Sequence, residues 1–274
     1  MTDKAIPIPD SAAEAAPSEE AAPAAGSIER HHSSWGEIAE SLLITILLAL
    51  FGTTFIAQAY KIPSESMEPT LLVGDHLLVN KFIFGGTGAW YDKFLPYRDI
   101  RRGDVIVFRY PYENHPNYVK RVIGLPGDRL RIVNGRVLID GTPLSEPYVT
   151  HDPLFADQFA ENFPPRGQSY FAFGLAPEWA RYLLTQTRDG EIVVPPDRYF
   201  VLGDNRDRSA DSRYWGFVRR DAIIGRPMFI YWSVRASDED YANRGLPATL
   251  YGIEQTLVHL PSRTRWNRML REIH

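Results

Sequence analysis

A mainly β fold behind one N-terminal transmembrane helix is what the sequence predicts, and three observations carry the prediction. Beyond residue 60 the apolar residues fall in short runs bounded by Gly, Pro and Asn, at strand rather than helix length. One such stretch, Leu130 to Ile139, is split by Asn134-Gly135, a pair suited to the positive φ angles of a two-residue hairpin turn. Ahead of them lies Ser41 to Tyr60, twenty residues without a charge.

The elements follow in order. Met1 to about Arg30 is rich in Ala, Pro and Glu without apolar periodicity, and residues 1–37 read as a flexible tail. His31-His32 reads as an exposed pair, since no compact His/Asp/Glu ligand pattern accompanies it. Ser34 and Glu37 have capping-box spacing for a helix start. That helix is expected to continue over 38–60 as a membrane anchor, because twenty helical residues reach about 30 Å, the thickness of the hydrocarbon layer. A cleaved secretory signal fits less well, as no basic segment adjoins the run and a long polar tail precedes it. A buried globular helix is the other alternative. Charge does not fix the orientation: Arg30 is the nearest basic residue before the run and Lys61 directly follows it.

Leu77-Leu-Val79 and Phe82-Ile-Phe84 are β-prone and lead into Gly85-Gly-Thr-Gly88, which alone is too weak a signal for a phosphate loop. Trp90 to Tyr97 is an aromatic segment suited either to lipid headgroups or to the core. Val105 to Tyr110 and Tyr118 to Ile123 read as strands, and Leu130 to Ile139 as the hairpin. After Thr142 the chain reads as irregular, with Asn162-Phe-Pro-Pro165 interrupting order, until Glu191 to Val194 and Tyr199 to Leu202 resume β character. Arg263 to Arg271 has the composition of a short basic helix with a wet face.

Composition narrows the function. A chain of 274 residues, 44% hydrophobic, supports one large folded region or two smaller ones. A formal net charge of -4 argues against a nucleic-acid surface. Cysteine is absent, which removes disulfides and thiolate catalysis without excluding an oxidising compartment.

Chemistry-bearing residues concentrate in three segments. Lys61-Ile-Pro-Ser-Glu-Ser-Met-Glu-Pro-Thr-Leu71 sets two hydroxyls in a proline-bracketed turn where the apolar run ends. Serine in such a turn is ordinarily a surface hydrogen-bonding residue. Tyr118-Val-Lys-Arg-Val-Ile-Gly-Leu-Pro-Gly-Asp128 offers a lysine, which ordinarily points to a strand's wet face. Taken together they suggest a membrane-tethered serine hydrolase with a lysine base. Such a base must lose its proton, and at a free pKa of about 10.4 this costs about 4.6 kcal/mol at pH 7. Burial among Val119, Val122, Met67 and Leu71 is expected to reduce that cost, with Arg121 on the opposite strand face. Asp104 and Asp128 read as turn determinants. Gly203-Asp-Asn-Arg-Asp-Arg-Ser-Ala-Asp-Ser-Arg-Tyr-Trp-Gly216 reads as a hydrogen-bonded polar loop rather than a metal site.

These three segments, in this order, resemble the conserved blocks of bacterial type I signal peptidase, the leader peptidase, and the resemblance runs from about Gln58 to His274. It implies a signal-peptidase-like β catalytic core carrying an inserted β subdomain at roughly 129–197. It also implies an extracytoplasmic catalytic region over 61–274, held at the bacterial cytoplasmic membrane by one anchor with the N-terminus cytoplasmic. The family's best-studied type has a further N-terminal anchor with no counterpart in the sequence. By position in the motifs, the resemblance assigns Ser66 as nucleophile, Lys120 as general base and Ser64 as oxyanion donor. Ser209 would orient Lys120, with Asp211 and Arg213 as supporting charges. Ile62, Pro63, Met67, Leu71, Tyr118 and Val119 would line a groove for small residues one and three positions before the cut. Arg208 departs from the asparagine expected there. The implied substrates are secretory preproteins with small-X-small sites, met beside the export machinery and membrane lipids, with no cofactor, metal or nucleic acid. A specialised processing protease and an inactive peptide-binding relative are the alternatives.

Overall fold

The computed structural model describes residues 35–53, 57–85, 97–112, 117–152, 154–155, 157–165, 174–235 and 261–274. The tail before residue 35 with His31-His32, Gly86 to Gly88 and most of the aromatic segment, 90–96, lie outside the described residues. The chain divides into two compact units, Met1–Thr45 and Ile46–His274.

Helix α1, Trp35–Phe51, begins in the first unit and has no buried side chain. Thr45 donates its hydroxyl to Ser41 O at 2.7 Å, so the polar group on this apolar helix is satisfied within it. The helix is shorter than the uncharged run. Ala57 to Tyr60, expected as its last turn, form strand β1 (Ala57–Lys61) instead. Gly52 and Thr53 continue the helix only as a π turn, and residues 57–61 gain a complete antiparallel ladder against His76 to Asn80. Among the described residues no helix is long and apolar enough to cross a membrane.

The second unit is built on two antiparallel sheets. The larger has seven strands in the order β1-β2-β11-β3-β4-β9-β10. Its further members are β2 (Asp75–Asn80), β3 (Val105–Phe108), β4 (Tyr118–Gly124), β9 (Arg198–Leu202), β10 (Val218–Arg219) and β11 (Ile223–Ser233). Strict alternation of burial along β2 puts Asp75, Leu77 and Val79 inside, whereas all four residues of β3 are buried, as befits a strand covered on both faces. Strand β11 pairs with both β2 and β3, and it accommodates the two registers through irregularities, one of them beside Pro227, which cannot donate to a ladder. Phe82 to Phe84, expected as β-prone, are turn and bend residues.

The smaller sheet has the order β7-β6-β5-β8, with β5 (Arg129–Val133), β6 (Arg136–Ile139), β7 (Thr142–Pro143) and β8 (Ile192–Val193). Val133 pairs with Arg136, so Asn134-Gly135 is a two-residue turn, and both residues have positive φ, 49° and 73°. This is the conformation that Asn-Gly tolerates best. All four strands lie between β4 and β9 in sequence.

One element in the stretch read as irregular is a helix, α2, Pro177–Gln186. Pro177 at its first turn sacrifices no hydrogen bond, and Trp179, Ala180 and Leu183 form its buried stripe. They join a cluster that includes Leu130, Ile132 and Val137 of the small sheet and Phe200 and Leu202 of the large one. The two sheets therefore share one core. Trp179 is central to it, 4% exposed, stacked near Phe163 and donating its indole N–H to Arg213 O at 3.0 Å. Replacing Trp179 by Ala is expected to lower the unfolding free energy by about 3–5 kcal/mol, measured by urea titration; a change below about 1 kcal/mol would refute this account of the core.

Candidate active site

Ser66 lies on a 3-10 turn, Glu65–Met67, that follows β1. Glu68 N donates to Glu65 O at 3.0 Å and Leu71 N to Met67 O at 2.9 Å, winding the segment tightly. Met67 and Leu71 are its anchors, 1% and 0% exposed, in a cluster with Ile62, Val79, Val105, Ile230 and Ile273. From the other side, Asn205 N donates to Ser66 O at 3.2 Å. A Cβ at Gly203 would fall 2.4 Å from Ser66 O and 2.3 Å from Ser209 Oγ, so only glycine lets this loop approach the serine turn.

Lys120 comes from β4, in register with Ile106, and is 4% exposed. Its Nζ donates to Ser66 Oγ at 2.5 Å and lies 5.5 Å from the Tyr118 ring centroid. Burial is the main reason its pKa is lowered from 10.5 to about 8; Asp211 and Asp204 oppose the shift and Arg213 adds to it. At pH 7 about a tenth of the amine is then neutral, against fewer than about one part in a thousand for a solvated lysine.

The carboxylates around Lys120 each have an arginine of their own. Arg121, directed away from the serine, meets Asp204 through Nε at 2.8 Å and Nη2 at 2.7 Å, and also donates to Gly103 O and His274 O. Asp204 accepts in addition from Thr70 Oγ1 at 2.5 Å. Arg213 meets Asp211 through Nε at 2.8 Å and Nη2 at 2.9 Å, and Asp211 accepts from Gly203 N at 3.0 Å. Burial works against the Asp211 charge, but Arg213, the Gly203 amide and the Ser209 hydroxyl together outweigh it and hold that carboxyl below its ordinary range.

Ser66 and Lys120 sit in a groove of about 340 Å³ also lined by Tyr60, Ile62, Pro63, Ser64, Met67, Tyr118 and Val119. Ser64 Oγ lies 3.4 Å from Ser66 Oγ. Two expectations differ from the geometry. Leu71 is wholly buried beneath the turn rather than in the groove wall, because its amide closes the turn and its side chain joins the core. Ser209 is buried but makes no hydrogen bond to Lys120; its Oγ packs against Gly203 and lies close enough to Asp211 to favour that carboxylate's charge. Asp104 and Asp128 are turn residues as read, paired with Arg98 and Arg102.

Sequence reasoning passed over Gly203, Asp204, Thr70, Tyr60 and Asn117. The adjacency of Lys120 and Arg121 on one strand was the available signal for Asp204: if both side chains are buried, the arginine requires a carboxylate.

A serine hydroxyl touching a desolvated lysine in an apolar groove is the equipment of a hydrolase that forms an acyl-enzyme. The family model for signal peptidase, peptidase S26, matches residues 35–232. This chain belongs to that family. It is similar to probable signal peptidase I-2 of Synechocystis sp., 33% identical over 74% of this chain and 75% of the relative. It is also similar to signal peptidase I of Pseudomonas aeruginosa, 36% identical over 72% of each. A signal peptidase I structure from Enterococcus faecalis V583 aligns over 47% of this chain and 97% of its own, at 32% identity and a TM-score of 0.33. The activity of the family is that of a serine endopeptidase that removes signal peptides from secretory preproteins.

The depressed lysine also has a consequence for stability. Its folded pKa lies below its unfolded value, so the unfolded peptidase binds the extra proton, and stability rises with pH between about 8 and 10.5. Below that window the buried lysine costs up to about 3 kcal/mol. Lys120→Met is therefore expected to raise the melting temperature at pH 7 and to flatten its rise at alkaline pH. An unchanged pH dependence in the variant would contradict the buried-lysine account.

Proposed function

We propose that Ser66 is the nucleophile and Lys120 the general base of signal-peptide cleavage. The observation that carries this reading is the 2.5 Å approach of a buried, largely desolvated amine to a serine hydroxyl within the groove. The ladder between β4 and β9 starts only at Arg121, which leaves the β4 edge at Tyr118 to Lys120 available to an extended peptide. Small side chains before the cut enter the pocket among Ile62, Met67, Tyr118 and Val119.

Neutral Lys120 takes the Ser66 proton as Oγ attacks the scissile carbonyl, and the ammonium then delivers that proton to the departing amine. The Ser66 amide and the Ser64 hydroxyl stabilise the oxyanion. A water that gives its proton to Lys120 releases the acyl group. Ser209 Oγ, buried beside Gly203 and Asp211, serves as an acceptor for the Lys120 ammonium once it forms, while Asp211 and Arg213 hold the loop that carries it. Leu71 supports the turn from below.

The family is generally membrane-anchored. In this reading α1 is the anchor, its exposed Leu42, Leu43, Leu47 and Leu48 facing lipid. Its seventeen residues reach about 25 Å, short of the hydrocarbon layer of about 30 Å, so what supports this reading is the family's membrane anchoring together with the exposed apolar surface of the helix. The N-terminus is cytoplasmic, and the region beyond β1 works on the far side of the membrane, where preproteins leave the export machinery.

Ser66→Ala is expected to lower kcat/KM at least about a thousandfold and to abolish acyl-enzyme formation. Near-normal cleavage by the folded variant, with the product terminus mapped by mass spectrometry, would reject the nucleophile. For the unsubstituted peptidase, kcat/KM should rise about tenfold per pH unit below about 8 and level off above it. Lys120→Met should lose turnover at every pH with KM little altered, and Lys120→Arg should not rescue it, since a guanidinium stays protonated. Turnover by either variant that still follows the same pH profile would remove Lys120 from the mechanism. Replacing the substrate alanine before the cut by phenylalanine should cost about 10- to 100-fold in kcat/KM, and equal rates at the same bond would defeat the small-pocket assignment.

A further inference from the structure

A second cavity adjoins the groove. Pro63, Ser64 and Arg208 line both, and Glu65, Val73, Phe155 and Asp207 complete the second. The two walls of the groove begin where Asn117 Nδ2 donates to Tyr60 Oη at 3.3 Å, and each reaches the dyad a few residues later along its own segment. A peptide whose small residues fill the pocket between Ile62 and Val119 therefore leaves past Ser66, on the Arg208 side.

The structure shows what Arg208 does in place of a short amide side chain. Its Nε donates to Asp152 at 2.7 Å and its Nη1 to Glu65 at 2.5 Å, while its guanidinium carbon lies 3.9 Å from the Phe155 ring centroid. Three segments are thereby joined into one wall: the residue just before Ser66, the pair Asp152 and Phe155, and the turn that carries Arg208. Phe155, 53% exposed, offers that wall an apolar face. The charge is not balanced. The guanidinium pairs with the carboxylates of Glu65 and Asp152, and the cavity lining adds a third carboxylate, Asp207, which lies 3.0 Å from His151 Nδ1 and accepts from the amides of Asp152 at 2.9 Å and Asp157 at 3.2 Å.

We infer that this second cavity receives the first residues of the released chain, against the Arg208–Phe155 wall, and that its surplus of carboxylates disfavours an acidic side chain immediately after the cut. The inference rests on the Ser66–Lys120 reading above, which fixes where the scissile bond lies. It concerns the opposite side of that bond from the small-residue pocket, so the two specificities vary independently.

The test uses the full chain in detergent and three peptides that differ only in the residue after the cut, Ala, Lys or Glu. At low salt kcat/KM is expected to favour Lys over Glu by about three- to tenfold, and the ratio should shrink towards unity at about 1 M salt. Arg208→Gln removes the cation and widens the ratio; Asp152→Asn removes a carboxylate and narrows it. Because each ratio is taken within one preparation, loss of folded enzyme in a variant cancels. Equal rates for the Lys and Glu peptides, or a ratio that neither substitution moves, overturns the inference. Cleavage of the Ala peptide by Ser66→Ala would instead overturn the dyad reading, and this inference with it.

Discussion

Desolvation of the Lys120 amine is the constraint on which the rest of the site depends. An ammonium has no lone pair to accept a proton, and the carboxylates closest to this one, Asp204 and Asp211, both favour the ammonium. Left unpaired, either would favour the ammonium more strongly. Each is instead committed elsewhere, Asp204 to Arg121 and Thr70, Asp211 to Arg213 and Gly203 N. With their charge engaged locally, burial remains the largest influence on Lys120, and the amine is poised near neutral pH.

That arrangement is not an economical way to stabilise a protein. Buried ion pairs often contribute little beyond what apolar residues of the same size would provide, whereas removing one member leaves an uncompensated charge. What these pairs supply is geometry. Arg121 connects β4 to Asp204, Asp204 connects to Thr70 in the serine segment, and Arg268 donates to Thr70 O at 2.9 Å while holding buried Asp75. The serine turn and the lysine strand are thus tied together from below, where substrate does not reach.

Some of this was legible in the sequence. The hairpin at Asn134-Gly135 and strands β3 and β4 followed from local rules, because turn chemistry and apolar run length act over a few residues. Strand β1 was not legible, since Ala57 to Tyr60 continue an uncharged run and only pairing with His76 to Asn80 distinguishes strand from helix. Helix α2 was hidden by the prolines and glycines around it, although Pro177 at its start and the Trp179, Ala180, Leu183 stripe were signals in its favour. In the site, the segments bearing Ser66 and Lys120 could be read as motifs. The pairing of Arg121 with Asp204 could not, because it depends on how residues 83 positions apart pack.

The insertion between β4 and β9 shows why the site cannot be separated from the second sheet. Trp179 lies in that insertion, yet its indole binds Arg213 O, and its ring would meet a Cβ at Gly216 at 2.9 Å. Arg213 in turn holds Asp211, and Asp211 accepts from the amide of Gly203, the glycine that lies against Ser66 O. A core residue of the inserted helix α2 is therefore linked through hydrogen bonds and one steric contact to the backbone of the serine turn. Shared packing of Phe200 and Leu202 with Leu130 and Ile132 closes the same circuit through apolar contacts. Interiors at crystal-like density transmit such displacements rather than absorb them. The inserted sheet therefore helps to hold the serine at its 2.5 Å distance from the lysine, although none of its strands lines the groove.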